Sequence, residues 1–278
     1  MAITAQDVNK LRQLTGAGMM DCKKALTEAE GDFDKAIEIL RKQGQKVAAK
    51  RADNAVSEGV VVVEISSDES NGKLVALACE TEPVANVADF KELAKTILGE
   101  AVANDHKSVE SLMAATLSDG STVADQIVNL TGKLGEKIEI VGYENVSAQK
   151  VVPYIHSNGK LGVLVAFEGG SGADLQVVGR DIAMQIAAMR PVALDKDGVD
   201  AALVEREIEI GKEQARAEGK PEAMLERIAQ GKLQKFYKDN TLLNQEFVKD
   251  SSLTIRQLLE KTAKDLSIVS FKRVGIGN

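Results

Sequence analysis

Between residues 4 and 43, apolar side chains recur at three- and four-residue intervals, a pattern that predicts three short helices. Thr4 with Asp7 resembles a capping box ahead of Val8, Leu11 and Leu14. Thr15-Gly16-Ala17-Gly18 then breaks the first helix. A second helix starts near Met19, carries Cys22, Ala25, Leu26 and Ala29, and ends at Gly31. Asp32 caps a third, with Phe33, Ala36, Ile37 and Leu40 on one face and Gly44 as its stop. Lys46 to Glu58 is polar, basic and non-periodic, and reads as a linker with room for some helix.

The period then shortens. Val60 to Ile65 is a β-branched run, Asp68 to Gly72 a polar turn, and Leu74 to Cys79 the returning strand. Pro83 stops that strand because it has no N–H for the ladder, and a helix bearing Phe90, Leu93, Ala94, Ile97 and Leu98 follows. The unit recurs as Val151–Ile155, a turn, Gly162–Phe167 and a helix from about Asp174 to Met189. The string Ser70-Asn71-Gly72-Lys73-Leu74 reappears as Ser157-Asn158-Gly159-Lys160-Leu161, which suggests two related subdomains. Ile138–Val141 and Ile268–Phe271 add one strand to each of two small sheets.

Between Asp195 and Tyr237 a thin stripe of Val199, Leu203, Ile210 and Ala217 marks a charged helix. Gly219-Lys220-Pro221 turns the chain, with Pro221 as first helical residue, and Leu225, Ile228, Leu233 and Phe236 mark the return. So narrow a stripe suits an antiparallel helical hairpin that projects from the body, the alternative being a pair packed flat on it. The fold class is therefore α+β. It comprises a three-helix N-terminal bundle (1–52), a core N-subdomain (53–143) and a core C-subdomain (144–278), with the coiled-coil hairpin at 196–236 inside the last.

Composition mainly excludes. The chain has 278 residues, 42 Asp and Glu against 35 Lys and Arg, a net charge of −7, 3% aromatic residues and no tryptophan. An acidic chain poor in aromatics does not coat nucleic acid or stack bases. Residues 1–52 go against the trend, with Lys and Arg in excess. With only His106 and His156, and neither near a cysteine, zinc sites and Ser/His/Asp triads lack material. No cofactor or metal is expected. Cys22 and Cys79 sit among apolar neighbours, as buried reduced thiols do. The first residues lack the basic and apolar blocks of a signal peptide, and no apolar run approaches the ~18–20 residues of a membrane span. A cytoplasmic location is expected.

Few motifs carry chemistry. Gly16-Ala17-Gly18 fails as a dinucleotide fingerprint, since Asp21 holds the third glycine position and no strand precedes it. No phosphate-binding Gly-x-x-x-x-Gly-Lys-Ser/Thr is present, so the chain itself is not expected to bind nucleotide. Glu80 and Glu82 have no evident catalytic partner and read as a solvated or partner-facing loop. Met19-Met20 is more telling. Adjacent helical residues point about 100° apart, so both cannot face the centre of so small a bundle. One at least is expected at the surface, where methionine is an adaptable contact residue. The alternative is a bundle edge with both half-covered.

The run Leu11-Arg12-Gln13-Leu14-Thr15-Gly16-Ala17-Gly18-Met19-Met20-Asp21-Cys22-Lys23-Lys24-Ala25-Leu26 resembles the N-terminal signature of the bacterial elongation factor Ts family. Cys79-Glu80-Thr81-Glu82-Pro83-Val84-Ala85-Asn86 falls where the second signature belongs, and Tyr154-Ile155-His156, Gly162–Ala166 and Gly219-Lys220-Pro221 correspond as well. The resemblance spans essentially the whole chain. It implies a UBA-like N-terminal bundle, and a guanine-nucleotide exchange factor that releases GDP from elongation factor Tu without covalent chemistry. By the same resemblance Arg12, Met19 and Met20 contact the partner's nucleotide domain. Thr81, Glu82, Pro83 and Val84 disturb its bound Mg²⁺, and His156 holds a second partner domain. In the family that loop usually reads Thr-Asp-Phe-Val. Here the carboxylate is one methylene longer and the aromatic ring is absent. Two other readings stand beside this one: a helix-binding adaptor without exchange activity, and a small-molecule enzyme built on the duplicated hairpins.

Overall fold

The computed structural model describes residues 3–170, 172 and 174–277. Helix α1 (Ala5–Thr15) begins at the capping box, where Thr4 accepts from the Asp7 N–H and Asp7 reaches back to Thr4. It ends at Gly16, whose φ of 65° is left-handed and suits glycine. Helix α2 (Met19–Glu28) and helix α3 (Phe33–Lys50, capped by Asp32) complete a bundle around Leu11, Cys22, Ala25, Leu26 and Ala36. Leu14 is not part of that core; it is 63% exposed.

Gly44 does not stop α3. The helix continues to Lys50, and Gly44 is buried in its interior. It lies where α3 crosses a later helix, α7 (Val123–Leu134), so closely that a Cβ on Gly132 of that helix would sit 2.7 Å from the Gly44 Cα. The glycine serves interhelical approach, which a single-chain reading of helix breakers cannot see.

The body consists of two antiparallel three-stranded sheets stacked face to face, with helices on both outer sides. Strands β1 (Glu58–Ile65) and β2 (Asn71–Cys79) form the first hairpin. There follow α4 (Glu82–Ala85), α5 (Ala88–Ala103), α6 (Val109–Met113), α7 (Val123–Leu134) and β3 (Ile138–Ser147), which pairs with β2. The second sheet comprises β4 (Lys150–Ile155), β5 (Leu161–Glu168) and, after α8 (Leu175–Met189), the last strand of the chain. The helical pair is α9 (Ala201–Ala217) and α10 (Glu222–Asn240). A small ladder, β6 (Glu246–Phe247) with β7 (Asp250–Thr254), then α11 (Ile255–Thr262), leads into β8 (Ser267–Gly275) beside β5.

Strand β2 is covered on both faces, which is why it reads as a continuous apolar run. Val75, Leu77 and Cys79 pack under α5 and α7, while Leu74, Ala76 and Ala78 meet Val151, Leu164 and Ala166 of the other sheet. Small residues allow this stacking. A Cβ on Gly162 would lie 2.6 Å from side-chain carbons of both Val61 and Leu74. On the far side α8 and α11 cover Val152, Val163, Val165 and Phe167.

The two halves share an architecture, a hairpin followed by a helix and a third strand beside the hairpin's second, but the repeated pentapeptide does not mark it. In the first hairpin Ser66 donates to Asn71 O and Glu69 to Ser66 O; in the second His156 donates to Leu161 O and Gly159 to His156 O. The left-handed turn residues are Glu69 and Gly159. Asn71 thus matches Leu161, and the identical strings lie out of structural register. Their lysines do different work: Lys73 is buried and donates to Ala101 O and Asn104 O at the end of α5, whereas Lys160 pairs with Glu58.

Helices α9 and α10 pack chiefly on each other. Their seam runs through Gly211, Ala215, Leu225, Ala229 and Leu233, with a Gly211 Cβ position 3.1 Å from the Ala229 Cα. Ala217 is exposed, and Pro221 is the cap preceding α10 rather than its first residue. Lys212–Glu226 (2.7 Å) and Arg216–Glu222 (2.8 Å) bridge the pair. The base is tied to the body where Leu242 N donates to Ala193 O and Asn244 Nδ2 to Asp195 Oδ1. No helix among the described residues is long and apolar enough to cross a membrane.

Candidate functional site

Met19 and Met20 open α2 and are 58% and 64% exposed; both, not just one, face outward. Their positions follow from the bundle's small radius. Cys22, Ala25 and Leu26 take the inward face of α2, leaving the first turn outside. Leu14, on the other side of the Thr15–Gly18 turn, adds a third exposed apolar side chain, and Arg12, two residues earlier on α1, is exposed as well. Helical spacing groups Leu14 with Val8 and Leu11, which the bundle buries. The sequence signal against that was the glycine-rich turn, which ends α1 before its last apolar residue is covered.

The Thr81–Val84 segment emerges from the end of β2 as the single turn α4. Thr81, Glu82 and Pro83 are exposed, while Val84 is half-buried and packs against the core beneath α5. The Thr81 hydroxyl does not cap α4. It donates to Glu136 Oε1 at 2.6 Å, and the Thr81 N–H donates to Glu136 Oε2 at 3.0 Å. Glu80 turns inward instead of facing a partner. Its carboxylate accepts from Arg51 Nη1 (2.9 Å to each oxygen), Asn54 Nδ2 (2.9 Å) and the Lys137 N–H (2.6 Å). Burial raises the Glu80 pKa, but the donors from Lys137, Asn54 and Arg51 outweigh it and hold the group below the usual carboxylate range. The Cys79 thiol just behind is pushed up to about 11 by burial, with the charges of Glu136 and Glu58 adding to it.

Helix α7 brings the two segments together. Arg41 of α3 pairs with Asp125 at its start, and Gly44 meets Gly132. Lys133 pairs with Asp89 at the start of α5 and lies so near the Thr15–Gly18 turn that a Cβ on Gly16 would sit 2.7 Å from its Nζ. Three residues on, Glu136 holds Thr81. Leu14, Ile37 and Leu40 line a groove between bundle and α7 that Asn129 and Lys133 close.

His156 follows β4 and is exposed, with Nδ1 2.9 Å from the Tyr154 hydroxyl. Its turn rests on the start of β1: Val61 N donates to Gly159 O (2.8 Å), and Lys160 Nζ is 3.0 Å from Glu58 Oε1. Glu58 is the ladder partner of Cys79, so His156 lies toward the sheet end from which Thr81–Val84 emerges. Among the described residues no group of three or more His, Cys, Asp and Glu could hold a metal ion.

Comparison with known proteins places the chain in a family. The family model "Elongation factor TS" matches residues 80–278. Elongation factor Ts of Cytophaga hutchinsonii is 63% identical over 274 residues, 99% of each chain. That of Amoebophilus asiaticus is 55% identical over 277 residues, the full length of both, and that of Porphyromonas gingivalis 50% over 98% of each. With identity of 55–63% over 99% or more of its length, and the family model over residues 80–278, the chain belongs to the elongation factor Ts family.

Proposed function

We propose that this chain is a cytoplasmic translation elongation factor that binds elongation factor Tu and promotes GDP release so that GTP can bind. The coarser part, a role in the elongation step of protein synthesis, follows from family membership. The exchange activity is supported above all by one observation. The exposed Leu14, Met19 and Met20, which flank the Thr15–Gly18 turn, and the exposed Glu82-Pro83 tip are carried by elements that α7 joins.

Exchange requires no bond to be made or broken. A factor that stabilises the nucleotide-free partner weakens GDP, and GDP weakens the factor by the same ratio. Each tenfold weakening requires about 1.4 kcal/mol of contact present only in the nucleotide-free state. In this proposal residues 1–52 supply the anchor, through Met19, Met20 and Arg12, whose burial against a helix of the partner gains apolar contact. Arg12 makes no ion pair among the described residues, so its charge is available to the partner. His156 steadies a second partner domain. The Thr81–Val84 tip approaches the partner's Mg²⁺, where the Glu82 carboxylate competes for the groups around the metal. Pro83 replaces the family's aromatic wedge with a ring that fixes φ, so the tip loses little entropy on docking.

The test is release of a fluorescent GDP analogue from elongation factor Tu. Substoichiometric amounts of the chain are expected to accelerate it, with every partner molecule exchanged. Formation of a complex without acceleration would establish the adaptor reading instead.

A further inference from the structure

We infer that Glu136 is a positioning residue for exchange: it holds Thr81 so that the Glu82-Pro83 tip is presented at a set distance from the methionine anchor. The inference rests on the exchange reading above.

Glu136 uses both carboxylate oxygens on a single residue, one on the Thr81 hydroxyl (2.6 Å) and one on its N–H (3.0 Å). This two-point grip orients the backbone at the entry to α4, not just one rotamer. It also takes the hydroxyl that would otherwise cap α4, whose start has no side-chain cap. The next residue strengthens the hold, because the Lys137 N–H donates to Glu80 (2.6 Å). Residues 80 and 81 are thus fixed to residues 136 and 137. Those follow directly on Gly135, which ends α7 with a left-handed φ of 74°. The same helix carries the bundle through Arg41–Asp125, Gly44–Gly132 and the Gly16–Lys133 approach. Helix α7 is therefore the strut between anchor and tip, and Glu136 is where the tip is fastened to it. Nothing else in the fold requires a carboxylate here. Among the described residues Glu136 makes no other hydrogen bond or ion pair, and it is only half-buried.

The experiment uses the full chain as wild type, Glu136→Ala, Glu136→Gln and Thr81→Val. It measures the maximal rate of GDP release, the half-saturating concentration of factor and the melting temperature. Rates are taken with millimolar Mg²⁺ and again with the metal chelated. Glu136→Ala is expected to lower the maximal rate in Mg²⁺ roughly three- to tenfold, as loss of a part-exposed charge-assisted hydrogen bond does. The half-saturating concentration should move less than about twofold, and the deficit should shrink on chelation, because a tip that acts on the metal matters less without it. Glu136→Gln keeps one acceptor and should recover part of the rate. Thr81→Val loses only the hydroxyl bond and should share the Mg²⁺-dependent deficit, which keeps the test decisive if Glu136→Ala folds poorly. A wild-type maximal rate in both alanine and valine variants overturns the inference. So does a deficit that is equal with and without Mg²⁺ and tracks a fall in melting temperature. If the wild-type chain itself fails to accelerate release, the exchange reading falls and this inference with it; if only the variants behave as wild type, this inference falls alone.

Discussion

Replacing Gly132 by alanine tests the helix crossing that carries the N-terminal bundle. In most helix interiors this substitution stabilises by about 0.5–1 kcal/mol, because glycine loses more backbone entropy on folding. At Gly132 the new Cβ would lie 2.7 Å from the Gly44 Cα, whereas carbon atoms in contact prefer about 3.5–4.0 Å. The obstacle is backbone on the facing helix, so α3 and α7 must part by about an ångström, an overpacking cost of roughly 1–3 kcal/mol. Gly99 of α5 is the control, with nothing within 4 Å of its Cβ position. Gly44→Ala should fall between, its nearest neighbour being Val128 O at 3.2 Å. The expected order of stability is Gly99→Ala, wild type, Gly44→Ala, Gly132→Ala, with about 1–3 kcal/mol between the extremes. Urea unfolding followed by circular dichroism suits a chain without tryptophan. Hydrogen exchange should place the loss in α3 and α7. If Gly132→Ala unfolds at the same urea concentration as Gly99→Ala, with α3 protection unchanged, the close crossing is refuted.

Met20→Ala should weaken binding to nucleotide-free elongation factor Tu by about 1–3 kcal/mol, the range of a contact hot spot, and leave the melting temperature unchanged because Met20 is 64% exposed; a stability loss with normal affinity would place Met20 in the bundle core after all. Substituting residues 198–235 with a short Gly/Ser link should leave a cooperatively unfolding body, since α9 and α10 satisfy their seam internally and the Asp195–Asn244 base is retained; broadened or lost cooperativity would contradict a projecting hairpin. Cys22 and Cys79 are fully buried, and the Cys79 thiol lies near 11, so neither should react with a disulfide reagent at pH 8 until the chain is unfolded. Glu80, whose pKa is lowered by folding, stabilises above the unfolded carboxylate pKa of about 4.3, and that contribution disappears as pH falls through the lower folded value. Glu80→Gln should therefore flatten the acid limb of the stability profile, and an unchanged limb would show that Glu80 is not held as described.

What was legible from the sequence is what a few neighbouring residues decide among themselves. The Thr4–Asp7 capping box, the Asp32 cap, the left-handed stop at Gly16 and the buried face of α5 all appear where pattern and capping chemistry placed them. Each is closed by a hydrogen bond or helical spacing within about four residues, so the local string contains the whole interaction. The exposed methionines were legible for a related reason: helical geometry alone forbids two adjacent side chains from sharing one small core. Tertiary structure decided whatever depends on a distant neighbour. Gly44 sits inside its helix, at a crossing with α7, far along the chain, so close that a Cβ on Gly132 would lie 2.7 Å from the Gly44 Cα. Glu80 points inward because Arg51, Asn54 and Lys137 meet around it, and Thr81 gives its hydroxyl to Glu136 and not to the helix it precedes. One five-residue string even adopts two different registers: the left-handed residue is Glu69, just before the string, in the first hairpin and Gly159, inside it, in the second. Local propensities differ by only fractions of a kcal/mol, so burial and a charged hydrogen-bond partner on another element prevail wherever the two conflict.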